Sequence, residues 1–250
     1  MVIINGVQGD TAQLIPDDGF QFGLGVFETI LIGNRPLFLA EHLVRLENSL
    51  RLLGIRNGVE AGQVLSLIEE NKLRNIVLKI IVTEKNILFM TRKNQYTEEV
   101  YQRGFHLCVS KMLRDENSVS VYIKSISRVD AVLEKQRAAE MGYDESLFLN
   151  RKGFLTETGN SNLFFVKNQK IYTPAIECGL LNGIVRAWVI KNFDVSEGDF
   201  SLADLYDAQE VFLTNSVFGL MKITQIEEKT FACHRQTEEI LNKYKKFISF

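Results

Sequence analysis

Short β-branched and aromatic runs, separated by turn residues, recur along the whole chain and are interrupted by only a few stretches with helical periodicity; this alternation excludes an all-helical fold. Val2-Ile3-Ile4 followed by Asn5-Gly6 reads as a strand entering a tight hairpin turn. Residues 27–31 form a second apolar run, Gly33-Asn34-Arg35-Pro36 is turn material, and Leu37-Phe38-Leu39 reads as another strand. The period then changes. Leu43, Leu46, Leu50 and Leu53 recur at helical spacing over residues 40–53, with Gly54 as the stop signal. A second helix is predicted at residues 61–71, and the runs 77–83 and 86–92 around Glu84-Lys85 have the signature of a hairpin.

Residues 105–110 read as a strand, and Arg114-Asp115-Glu116-Asn117-Ser118 is polar and unpatterned. That break predicts an N-terminal domain at 1–113, a linker at 114–118 and a C-terminal domain at 119–250. Beyond it the pattern predicts a strand at 119–124, a helix at 128–141 ending at Gly142, and strands at 145–149, 162–166, 170–173 and 210–213. Helices are expected at 184–192 and 236–247. The fold class is α+β, with two small mixed domains.

Composition narrows the function classes. At 250 residues the chain can bury a sizeable core, and a net charge of −2 with interspersed signs gives no basic block suited to a nucleic-acid backbone. Cys108, Cys178 and Cys233 have neither a CxxC pair nor zinc-site spacing, as expected of free thiols in a reducing compartment. The N-terminal run is too short for a signal peptide and no stretch approaches a membrane span, so a soluble, cytoplasmic protein is expected.

The chemistry concentrates between residues 123 and 166. Lys124 lies between an apolar run and an amphipathic helix, where partial burial lowers an amine's pKa and prepares it for imine formation with a carbonyl. Most lysines at strand ends are merely solvated charges. Glu157, in the turn-rich string LTETGNSN, offers a carboxylate of the kind that keeps a pyridine nitrogen protonated, although such a turn often only bonds its own backbone.

Both residues gain weight from their company. LTETGNSNLFFV, then IYTP, then LLNGIVR, in a chain that also carries INGV and TNSV, resembles the class IV pyridoxal 5'-phosphate (PLP)-dependent aminotransferase family, over most of the chain. The resemblance implies a two-domain fold-type-IV enzyme, like D-amino-acid aminotransferase, working as a homodimer on a small-molecule substrate with PLP between the domains. It makes Lys124 the PLP lysine, Glu157 the partner of the pyridine nitrogen, and Arg45 in EHLVRL the phosphate grip. On helical geometry alone Arg45 would have faced solvent. The resemblance further implies phosphate contacts from Gly183, Ile184 and Val185 at a helix N-terminus and from Asn215 and Ser216 in a turn, with Ser161 and Asn162 near the cofactor edge.

The family holds branched-chain aminotransferases, D-amino-acid transaminases and 4-amino-4-deoxychorismate lyases. Phe27-Glu28-Thr29 is most similar to the lyases, as is Arg128, which makes Thr29 a candidate hydrogen-bond donor to departing pyruvate in a route to 4-aminobenzoate, a folate precursor. The alternatives are an aminotransferase acting on branched-chain or D-amino acids, or a non-catalytic binding protein on the same scaffold. The loop after Thr83 is shorter than in many members; Arg92 and Lys93 could replace its carboxylate contacts, but a solvated hairpin end is the preferred reading for them.

Overall fold

The computed structural model describes residues 1–249, which divide into two compact units. The first holds Met1–Gln95 together with Ile123–Arg128; the second holds Tyr96–Tyr122 and the chain from Val129 onward.

In the first unit, β1 (Val2–Ile4) and β2 (Val7–Gln8) form the expected hairpin, with Asn5 and Gly6 both at positive φ, 51° and 81°. A short helix α1 (Asp18–Phe22) precedes β3 (Val26–Ile32), and helices α2 (Leu39–Leu52) and α3 (Ala61–Glu70) precede the hairpin of β4 (Ile76–Val82) and β5 (Ile87–Lys93). The strands lie in the order β2-β1-β5-β4-β3. Alternation along β3 turns Val26, Ile30 and Ile32 toward Leu46 and Leu50 of α2 and Val64, Leu67 and Ile68 of α3, which together make the core. Asp17 caps α1 and ties the β4–β5 turn: its Oδ2 accepts from Thr83 Oγ1 at 2.6 Å and Lys85 N–H at 2.9 Å.

The expected strand at residues 37–39 does not form. Phe38 adopts a left-handed conformation (φ 54°) and Leu39 already opens α2, so the leucine periodicity claims that segment.

The second unit begins with α4 (Glu98–Arg103) and β6 (Phe105–Arg114), then α5 (Val129–Glu140), β7 (Glu145–Asn150), β8 (Leu155–Thr158), β9 (Asn162–Lys167) and β10 (Lys170–Pro174). It continues through α6 (Ile184–Asn192), β11 (Val195–Gly198), α7 (Leu202–Tyr206), β12 (Glu210–Asn215), β13 (Gly219–Ile226), β14 (Lys229–Thr230) and α8 (Arg235–Ile248). Pairings run β9-β12-β13-β6-β7-β8, and β8 returns to β9 through Glu157 and Asn162, closing a ring. The C-terminal half of the same β9 edge takes β10, which pairs with β11. Inside the ring pack Leu107, Leu147, Leu155, Leu163, Phe165 and Leu213. Phe164 and Phe212, on the opposite face, stack at 5.0 Å between centroids, and α6 and α8 both pack on β12.

Two expectations change here. β6 runs on to Arg114, where Leu113 and Arg114 pair with Leu149 and Asn150, so 114–118 is the end of a paired strand and a turn, not a linker; the division falls after Gln95. Residues 119–124 form a 3₁₀ turn at Val119–Val121 instead of a strand, and the segment after it joins β3 of the first unit. Val26 bridges Ser125, Phe27 N–H donates to Lys124 O at 2.8 Å, and Ile126 N–H donates to Gly25 O at 3.0 Å. Lys124 therefore belongs with the first unit and not with the C-terminal domain. Local composition is blind to both points, because each is set by a pairing partner far away in sequence.

Phe212 is fully buried in its stack. Phe212→Ala is expected to destabilise the protein by about 3–5 kcal/mol, seen as a lower denaturant midpoint with an unchanged slope.

Candidate active site

The residues singled out in the sequence fall into two clusters, one in each unit. In the first, alternation on β3 puts Glu28 on the core face beside Ile30, an unusual place for a carboxylate. It is satisfied there by α2. Arg45 Nε donates to Oε1 at 2.7 Å and Nη2 to Oε2 at 2.8 Å, while His42 Nδ1 lies 2.6 Å from Oε2. His42 and Arg45, three residues apart, share one helix face. Burial works to raise the Glu28 pKa, but the Arg45 charge and the His42 and Arg45 hydrogen bonds outweigh it and bring it to about 2. His42 is pushed down, chiefly by burial, against the pull of Glu28, so its neutral ring donates through Nδ1. Arg45 is thus neither on the leucine stripe nor facing solvent: its side chain is 15% exposed and held in plane by Glu28.

The other face of β3 carries Phe27 and Thr29. Lys124 Nζ lies 4.6 Å and Lys79 Nζ 4.5 Å from the centroid of the Phe27 ring. Lys79 sits opposite Thr29 in the β3–β4 register. Its pKa is lowered first by burial, then by Arg128 and Arg92. Lys79 was not singled out from the sequence, although a lysine between Leu78 and Ile80 in an apolar strand was the signal. Arg92, read there as a solvated hairpin end, joins this cationic cluster.

The second cluster is built around the β8–β9 closure. Glu157 is buried, with Oε2 accepting from Asn162 Nδ2 at 3.2 Å and from Leu181 N–H at 3.4 Å. Asn162 Nδ2 also donates to Leu181 O at 2.8 Å, tying Glu157 to the loop that leads into α6. Gly183 is the N-cap of α6, which has no side-chain cap, so the N–H groups of Ile184 and Val185 at its first turn have no partner inside the helix. Any Cβ at Gly183 would collide with Asn162 Oδ1. Asn215 ends β12: its Oδ1 accepts from Val217 and Phe218 N–H at 2.9 and 3.0 Å, and its Nδ2 donates to Ser161 Oγ at 3.1 Å. Ser216 stands in the turn so formed, near Thr214, whose Oγ1 is buried with no hydrogen-bond partner among the described residues. No helix among the described residues is long and apolar enough to cross a membrane.

A helix-covered antiparallel sheet bearing a half-buried lysine, and a closed β-ring bearing a buried glutamate beside an uncapped helix N-terminus, are the parts of a fold-type-IV PLP-dependent enzyme. Residues 25–226 match the profile of the amino-transferase class IV family, and the chain belongs to that family. It is 28% identical to an aminodeoxychorismate lyase of Bacillus subtilis (99% of this chain, 94% of the relative) and 30% identical to a D-alanine aminotransferase of Bacillus licheniformis (92% and 89%). Its fold is similar to the crystal structure of 4-amino-4-deoxychorismate lyase from Pseudomonas aeruginosa, with a TM-score of 0.87 over the whole of both chains at 23% identity. The protein is accordingly a PLP-dependent enzyme, a lyase or an aminotransferase.

The Glu28 cluster carries a pH signature. A carboxylate whose folded pKa is about 2, against an ordinary 4.5, contributes stability that is complete above about pH 4.5 and is lost as pH falls toward 2. His42, depressed below 6.5, acts in the same direction, since the unfolded chain takes up its proton first. Denaturant midpoints should therefore fall on acidification from pH 7, and Glu28→Gln should flatten the part below pH 4.5. Glu28→Ala leaves Arg45 and His42 without their shared partner and is expected to cost about 3–5 kcal/mol.

Proposed function

We propose that this enzyme is a 4-amino-4-deoxychorismate lyase, releasing pyruvate and leaving 4-aminobenzoate. The observation that carries this choice over a branched-chain aminotransferase is the cationic face of the first unit. The charges of Arg128 and Arg92 both bear on Lys79, and Lys79 and Lys124 both lie against Phe27. An aliphatic amino-acid side chain calls for apolar walls. A substrate with two carboxylates instead gains charge-assisted hydrogen bonds from such a face. Similarity to the Bacillus subtilis lyase, 28% over nearly the whole chain, supports the same reading.

The residues present fit the cofactor. The glycine cradle at Gly183, the open first turn of α6 at Ile184 and Val185, the Asn215–Ser216 turn and the Thr214 hydroxyl, which has no partner among the described residues, suit a dianionic phosphate. Arg45, kept flat by Glu28, is the proposed guanidinium of that set, and Glu157, oriented by Asn162, is the proposed acid for the pyridine nitrogen. Ser161 and Asn162 are assigned to holding those groups in place. When bound, PLP supplies an aldehyde for exchange with the substrate amine and a protonated ring that accepts the electrons of a broken C–H bond. Lys124 Nζ is assigned the aldehyde in the resting enzyme and, once displaced, the proton from the amine-bearing carbon. Thr29, next to Lys79 across the sheet, is assigned a hydrogen bond from its hydroxyl to the departing enolpyruvyl oxygen. Aromatisation of the remaining ring makes the elimination effectively irreversible.

Amino-group exchange is the second reading, favoured by 30% identity to the D-alanine aminotransferase. PLP-loaded protein given aminodeoxychorismate should release pyruvate with no 2-oxo acid present; absence of pyruvate, with turnover of an L- or D-amino acid, would sink the lyase assignment. Borohydride reduction should fix the cofactor on Lys124, and Lys124→Ala should lose turnover. Lys79→Met is expected to raise KM for aminodeoxychorismate about 10-fold or more, the worth of one charge-assisted hydrogen bond. A homodimer is proposed on the family resemblance, supported by Phe20 and Phe22, 71% and 75% exposed on α1. Light scattering that returns the monomer mass would refute it.

A further inference from the structure

We propose that Glu145 is a positioning residue that sets the affinity of the Asn215–Ser216 turn for a phosphate group. It acts through a one-way chain of hydrogen bonds, and the proposal rests on the cofactor reading above. Glu145 opens β7 and is 1% exposed, and its side chain bonds Asn160 and Lys135, neither of which is assigned to PLP.

The direction of the chain is forced. Backbone N–H groups only donate, so the bonds from Val217 and Phe218 fix the oxygen end of the Asn215 amide. Its Nδ2 must then donate to Ser161 Oγ, at 3.1 Å. The Ser161 hydroxyl, already accepting, places its proton on Asn160 Oδ1 at 2.6 Å. With its oxygen occupied, Asn160 turns Nδ2 to Glu145 Oε1 at 2.8 Å. Every link thus runs toward Glu145, and the chain needs an acceptor at its end. Lys135 Nζ donates to the same oxygen at 3.0 Å from a half-exposed position.

Burying this carboxylate is unfavourable in isolation. Its pKa is raised, first by burial, and Oε2 has no hydrogen-bond partner among the described residues. Gly159 lies beside it: a Cβ there would stand 3.4 Å from Oε2, at ordinary contact distance. What the acid supplies is orientation. Reverse any one amide in the series and Asn215 no longer presents its oxygen to Val217 and Phe218, so the turn that carries Ser216 loses its shape. Asn215 consequently acts as a brace whose side chain is consumed within the protein, and the phosphate contact falls to Ser216.

The test titrates wild-type protein and variants with PLP and, separately, with pyridoxal, which lacks the phosphate. Glu145→Leu should weaken PLP binding about 10-fold or more while leaving pyridoxal affinity unchanged. Glu145→Gln, whose amide oxygen still accepts from Asn160, should restore most of it. Should Glu145→Leu fail to fold, Asn160→Asp serves instead: residue 160 is exposed, and the change sets a second carboxylate against Glu145. An equal loss for both ligands, or unchanged PLP affinity in both Glu145→Leu and Asn160→Asp, overturns the relay alone. Wild-type protein that binds no PLP overturns the cofactor reading as well.

Discussion

Closure of the β-ring rests on a short contact, the pairing of β8 with β9 through Glu157 and Asn162. A strand edge left open at that point would expose unpaired backbone and leave the turn between the two strands without a fixed shape. Closing it there has a chemical consequence. The same residues that complete the ring carry the buried carboxylate, its amide partner and, in the turn between them, Asn160 and Ser161. Asn162 reaches onward to Leu181 and so fixes the loop before α6, while Ser161 reaches Asn215 at the end of β12. One backbone closure therefore orients groups drawn from separate parts of the chain.

The first unit solves a different problem with the same strand periodicity. Along β3, Glu28 faces the helices and Phe27 and Thr29 face away, so a single strand supplies a buried anchor for Arg45 on one side and the ring against Lys124 and Lys79 on the other. The anchor is costly to bury and is stable only because Arg45 and His42 meet it together. On the opposite face the Lys79 amine is depressed, first by its burial and then by the charges of Arg128 and Arg92.

Much of this was legible from spacing alone. The leucine repeat located α2, the Asn-Gly pair located the first hairpin, and Glu84-Lys85 located the second. The motif strings singled out Lys124, Glu157 and Gly183 as candidates through family resemblance. Elements of low amplitude were missed: β8, β11 and the short helices α1, α4 and α7 give too few residues for a period to emerge, while the eight-residue β13 was passed over despite its length. Lys79, His42 and Glu145 were passed over because each looks like an ordinary charged or polar residue until its neighbours are known.

The sequence by itself determined the α+β class, the order of most strands and helices, and which residue types could support imine chemistry, because these depend on periodicity and side-chain identity within short windows. Tertiary structure alone decided where the chain divides, since the segment carrying Lys124 joins β3 by hydrogen bonds to Gly25 and Phe27, about a hundred residues earlier in sequence. It also decided which charges are buried and what orients them. Desolvation and hydrogen-bond direction are properties of packed neighbours, and those neighbours are brought together only by the fold.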